Sequence, residues 1–208
     1  QFSKNYGQIL LGLSGWDNYH LGTTMAWSDV SDLRGVKIAG AGPNLPWLEH
    51  AGAVPVQSAL PEGYMAMQTG VYNGWLMFPS AYLGYKYYEP SPHYTLIGFG
   101  AMAVVGLTIN QRTFDRLPEE VQKIILEVGR EYETKSGEAL NAKQAEGLEG
   151  LRAAGANVTE LSDDKRRGWA EALAGYPALQ AGEADKRGLP GTEVMRTYLE
   201  KVTEAGYE

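Results

Sequence analysis

The side chains able to do chemistry are few in this sequence, and their spacing narrows what they can do. There is no cysteine, which excludes thiolate nucleophiles, thiolate metal sites and disulfides while leaving the compartment open. The three histidines, His20, His50 and His93, are scattered, and no carboxylate stands at ligand spacing to any of them. No metal site and no cofactor are expected from that pattern. Ser14, Asp17 and His20 have the types of a nucleophile, an acid and a base. Crowded into one short segment, they lack the arrangement such a relay needs, so no catalytic residue is expected. Gly40 and Gly42 follow an apolar run as a dinucleotide-binding turn does, but a third glycine is missing and Pro43 and Pro46 stand in the segment instead.

What remains is a set that binds without reacting. Gly42, Asn44 and Trp47, then Trp75, Met77, Phe78 and Tyr82, then Phe99 and Met102 gather around predicted strand ends. This aromatic, polar-neutral lining suits a ligand with a ring or an extended apolar body, oriented by a few hydrogen bonds from backbone N–H groups and Asn44. The same residue types also fill cores, so their use depends on the elements that position them.

Those elements follow from the pattern. Val36 to Ile38 is a short apolar run, Ala39 to Pro43 a glycine-rich turn, and Asn44 a predicted N-cap before Leu45, Trp47 and Leu48. Gly52 closes that helix, Val54 to Gln57 reads as a second strand, and Pro61 opens a helix that ends at Gly70. Val71 to Phe78 reads as a third strand and Pro79 to Tyr88 as helix, while Tyr94 to Asn110 is a glycine-interrupted apolar segment of one or two strands. Strands alternating with short helices predict an α/β fold with a largely parallel sheet, whose ligands sit beyond the carboxyl ends of the strands. From Glu119 to about Ala154, Val121, Ile124, Ile125, Val128 and Tyr132 recur at helical spacing and predict one long helix. Val158 marks a last short strand, and Ser162 and Thr192 are predicted to cap the helices that follow.

Composition bounds the partners. The net charge is −7 and no basic run tracks a phosphate backbone, so nucleic acid is not an expected partner. The longest apolar stretches, such as Ala101 to Leu107, are too short to cross a bilayer, and no direct membrane insertion is expected. The first residues lack the charged, apolar, small-residue order of an export signal, so localisation rests on resemblance alone.

Five ordered motifs carry a resemblance. Asp32 to Ile38 reads D-L-R-G-V-K-I, Gly52 to Val56 reads G-A-V-P-V, and Tyr64 to Gly74 reads Y-M-A-M-Q-T-G-V-Y-N-G. Lys86 to Glu89 with His93, and Asn110 through Leu117 to Gln122, follow in order. Together they resemble the extracytoplasmic solute-binding proteins of TRAP transporters, the DctP family, across nearly the whole chain. The resemblance begins inside the family pattern, with no counterpart of its amino-terminal lobe. It implies a type II periplasmic-binding-protein-like fold of two α/β lobes that close over a solute by hinge motion. On that basis residues 1–21 are a residual first-lobe or hinge segment, 22–93 and 140–208 form the second lobe, and 94–139 contribute interlobe strands, first-lobe structure and the start of the long helix.

The resemblance further implies a periplasmic receptor that captures a small organic acid and hands it to membrane permease subunits, with no chemistry performed. At one position the sequence departs from the family: members that bind simple carboxylates usually carry an arginine after the K-I strand, and here that position is Ala39. The replacement removes a charge and a planar fork of donors, so Ala39 is a site position without the usual clamp and the expected acid is aromatic or bulky. Two rival readings share the fold class: a cytoplasmic ligand-sensing domain of a regulator, and a small α/β hydrolase.

Overall fold

A computed structural model describes residues 2–100 and 104–206. In chain order the elements are α1 (Phe2–Tyr6), β1 (Gln8–Gly15), β2 (His20–Thr23), β3 (Lys37–Gly40), α2 (Leu45–His50), β4 (Val54–Gln57), α3 (Gly63–Gln68), β5 (Gly74–Met77) and α4 (Pro79–Gly84). They continue with β6 (His93–Leu96), β7 (Val104–Asn110), α5 (Gln111–Asp115), α6 (Glu119–Ala153), β8 (Asn157–Glu160), α7 (Asp163–Ala172), α8 (Tyr176–Lys186) and α9 (Gly191–Glu204).

Six strands form one sheet in the order β4-β3-β5-β2-β6-β8, and β1 pairs with β7 as a separate antiparallel ribbon. Parallel pairing joins β3 to β4, β3 to β5 and β6 to β8, while β2 runs antiparallel to both β5 and β6. Five strands therefore share one direction. The carboxyl ends of those five and the start of β2 at His20 lie on one edge of the sheet.

Alternation along the strands splits the core into two layers. Ile38 and Leu76 face a cluster with Tyr19, Leu48, Ile97, Leu161 and Trp169, under α2 and α7. Ala39, Trp75 and Met77 face the opposite cluster with Met67, Tyr72, Tyr82, Tyr87, Tyr94 and Leu151. The second layer is held by buried phenols whose hydroxyls find backbone carbonyls: Tyr82 donates to Ser91 and Tyr94 to Met77, each over 2.8 Å. Burial raises the pKa of both well above the usual phenol value, so they act as neutral donors.

The 35-residue α6 ties the ribbon to the sheet through two close approaches. At Gly129 a side chain would collide with the Leu11 carbonyl of β1, and at Gly147 a Cβ would stand 2.7 Å from the Ser80 nitrogen of α4. Glycine at these points lets one helix pack backbone to backbone against both bodies.

Several boundaries differ from the sequence expectation. The third strand starts only at Gly74, because 71–73 turn to bring Asn73 N–H onto the Lys37 carbonyl at 2.7 Å. The Tyr94 to Asn110 segment divides between β6 in the sheet and β7 in the ribbon. Asn44 is not a side-chain N-cap: it closes a short 3-10 turn, Gly42–Asn44, with helical φ −78° and ψ −23° and makes no side-chain capping bond. Ser162 likewise caps α7 without a side-chain bond.

Candidate ligand site at the strand tips

Two crossings join the ribbon to the sheet, one between β1 and β2 and one between β6 and β7. They are fastened to each other at the tip edge. Tyr19 N–H donates to the Gly100 carbonyl at 3.0 Å, and Gly100 N–H donates to Asn18 Oδ1 at 2.7 Å. The N–H groups of Ile97 and Gly98 both point at His20 Nδ1, at 3.2 and 3.3 Å. An imidazole nitrogen that accepts N–H groups carries no proton, so His20 is neutral with its hydrogen on Nε2. Burial is the cause that pushes its pKa down to about 4. Alongside, Asp17 Oδ2 accepts from Ser80 Oγ at 2.6 Å and Asn18 N–H donates to Gln144 Oε1 on α6 at 3.0 Å.

Aromatic rings stand over this frame. Trp16, exposed, stacks on Phe78 with centroids 5.5 Å apart and planes 16° apart, and Tyr19 meets the same ring edge-on at 5.4 Å. Burial raises the Tyr19 phenol pKa, while a hydrogen bond with the Asn44 side chain pulls the other way. On the other side Trp47 lies against Phe99 at 4.6 Å, and Phe99 meets Trp169 edge-on at 5.0 Å. Trp169 Nε1 donates to the Trp47 carbonyl at 2.9 Å, which anchors α2 to α7. Gly42, at φ +48°, donates its N–H to Gln57 Oε1 at 3.0 Å and so fixes the turn after β3.

The expected site residues fall into two groups. Gly42, Asn44, Trp47, Phe78 and Phe99 sit at the tip edge; the three rings among them are half-buried, and Asn44 is buried toward Tyr19. Ala39, Trp75, Met77 and Tyr82 are a correction: all four are inside the second core layer. Trp75 has no exposed surface, because Tyr72 and Tyr87 approach it at 5.7 and 5.3 Å and Gly63 leaves room for its ring. Tyr82 is equally covered, its hydroxyl turned to Ser91. Met102 lies outside the described residues. Trp16, Asn18 and Tyr19 were not foreseen; the dense run of aromatic and polar side chains from Trp16 to His20 was the available signal.

Asp17 is engaged with Ser80 and His20 Nδ1 with backbone N–H groups, while Ser14 belongs to the ribbon, opposite Val105. The three do not form the relay their types suggest. Among the described residues no helix is long and apolar enough to cross a membrane.

Comparison with known proteins agrees with this geometry. Residues 6–181 match the family model described as bacterial extracellular solute-binding protein, family 7. A solute-binding protein of Albidiferax ferrireducens is 28% identical over 144 residues, covering 68% of this chain and 43% of the relative. The C4-dicarboxylate-binding periplasmic protein of Rhodobacter capsulatus is 27% identical over 178 residues, covering 82% of this chain and 53% of the relative. Among solved structures, a TRAP periplasmic solute-binding protein of Desulfovibrio salexigens with bound orotic acid has TM-score 0.82 at 22% identity, covering 97% of this chain and 65% of that one. One from Pseudomonas putida F1 with bound D-glucuronate has TM-score 0.73 at 22% identity, covering 93% and 60%. The chain thus spans roughly half the length of the sequence relatives it matches, and the segment matched by the family model takes in the tip edge and all of α6. This chain belongs to the family 7 bacterial extracellular solute-binding proteins.

Proposed function

We propose that the protein is the periplasmic receptor of a TRAP transporter and captures a small organic acid of aromatic or otherwise bulky shape, for delivery to membrane permease subunits. One observation carries the ligand class. The tip edge bears half-buried rings at Phe78, Trp47 and Phe99, with Trp16 exposed and stacked on Phe78, while β3 carries Ala39, without a guanidinium, one residue before its end. Flat aromatic walls reward a ring or a long apolar body. The orotate and glucuronate receptors similar in fold support an acid of that size, whereas the dicarboxylate receptor among the relatives is the competing precedent.

In this reading residues 22–93 and 140–208 make the second lobe of a two-lobed parent, and residues 1–21 and 94–139 belong to the hinge and the first lobe. A two-stranded ribbon is marginal alone. Leu10, Leu13, Val104, Val105 and Leu107 on it, and Val121, Ile124 and Val128 on α6, are all exposed, which is surface that a further lobe would cover. Ligand would then favour the closed arrangement of the two lobes by its differential affinity for it.

A thermal-shift screen of the full-length protein tests this. Orotate, D-glucuronate or a similarly bulky acid is expected to raise the melting temperature more than succinate or malate. A clear preference for the small dicarboxylates refutes the ligand class, and no response to any acid refutes the receptor reading.

A further inference from the structure

This inference rests on the receptor reading and concerns how an acid is held without a cation on β3. We infer that Arg166, in the first turns of α7, pairs with the carboxylate of the ligand. Its α7 starts just beyond the tip of β8, the neighbour of β6, so its side chain reaches the loop after β6 at the tip edge. Gly98, at φ +66°, leaves the space that the guanidinium fills: a Cβ there would stand 2.6 Å from Nη1.

Three features make this guanidinium suited to a carboxylate. Arg166 Nη2 pairs with Asp163, whose side chain is 80% exposed, and among the described residues no other acceptor takes its remaining donors. An exposed carboxylate is a weak, exchangeable partner, so a bound acid can take its place in a two-bond fork. The side chain of Arg166 is two-thirds covered, 33% exposed, which strengthens its pull on an anion relative to bulk water. Finally, the residue after Gly98 is Phe99, tilted against Trp47 at 4.6 Å, so charge and apolar wall are adjacent, as an acid with a ring requires.

The placement also explains a shift in ligand shape. From β3 to β6 is three strand spacings in the sheet order, roughly 14 Å at about 4.8 Å per strand. Moving the cation that far toward the β6–β8 side leaves the Phe78 end of the tip edge for the body of the ligand, so a short dicarboxylate loses and a longer acid gains.

The test compares each acid with its neutral ester. In calorimetric titrations of the full-length protein, orotate and D-glucuronate are each paired with their methyl esters. Arg166→Gln is expected to weaken the acid at least tenfold and leave the ester within twofold, erasing the preference for the charged form. Arg166→Lys should lose less, and Asp163→Asn, which frees the guanidinium, should tighten the acid several-fold. If Arg166→Gln folds and keeps the acid-to-ester ratio of the wild type, the inference is overturned while the receptor reading stands. If Arg166→Gln does not fold, the Asp163→Asn result decides: unchanged acid affinity overturns it. If the wild type binds neither acid, the titrations are run with the acid that the thermal-shift screen selects and its methyl ester; if no acid binds, the receptor reading falls and this inference with it.

Discussion

Lowering the pH should loosen the junction between ribbon and sheet through one residue, His20. In the folded chain its Nδ1 accepts from Ile97 and Gly98 N–H and its pKa is pushed down to about 4; in the unfolded chain it titrates near its ordinary 6.5. Desolvation is the cause of the depression: the ring is buried, and Tyr94 meets it edge-on at 5.9 Å with its hydroxyl spent on Met77. Because the folded pKa is the lower one, the contribution is full above pH 6.5, is lost as pH falls from there toward 4, and changes no further below. The fall from 6.5 to about 4 is worth about 3 kcal/mol, most of it lost between pH 7 and 4.5. For a domain of this size that is about 5–10 °C in melting temperature. Other carboxylates titrate in the same window, so the measurement is a difference: urea unfolding of wild type and His20→Asn at both pH values, since Asn Oδ1 can stand where Nδ1 does and cannot take a proton. The stability gap should move by about 2 kcal/mol or more in favour of the variant at pH 4.5. Parallel pH curves for the two proteins would refute the reasoning.

Three further outcomes follow from packing. Trp75→Ala should lower stability by about 3–5 kcal/mol, read as a fall in the urea midpoint, because the ring is wholly enclosed by Tyr72, Tyr87 and Gly63; an unchanged midpoint contradicts its place in the core. Gly129→Ala should cost about 1–3 kcal/mol by forcing α6 off the Leu11 carbonyl, and full wild-type stability would show that the close approach is not needed. Phe78→Ala, which removes the ring between Trp16 and Tyr19, should weaken an acid that binds the full-length protein about tenfold, or ~1.4 kcal/mol; unchanged affinity would demote the ring to packing.

The sequence was legible where a signal is local. Val54 to Gln57 is β4 as expected, the helical spacing from Val121 to Tyr132 lies in the single helix α6, and Val158 lies in the last strand. The ribbon was not legible. Gln8–Gly15 reads Q-I-L-L-G-L-S-G, without clean alternation, and its partner is β7, across most of the chain; nothing near either strand announces the pairing. β2 was missed for a related reason: its four residues are all buried, so it has no polar face to alternate with. The candidate site shows the same division. The glycine turn after β3 and the rings at Trp47, Phe78 and Phe99 could be placed by counting to strand ends. Trp75 and Tyr82 could not be assigned to core or pocket, because the residues that enclose them, Gly63, Tyr87 and Gly22, meet them only in the folded sheet. Asn44 looked like a cap because its type suits one; the 3-10 turn ahead of it turns the side chain to Tyr19 instead.

The receptor reading is tested most directly by a crystal structure of the full-length protein with the acid that most raises its melting temperature. The ligand should lie against Phe78 and Phe99, beyond the carboxyl ends of β3, β5 and β6 and beneath the first lobe. An acid lodged at the opposite edge of the sheet, or in the groove between α8 and α9, would contradict it.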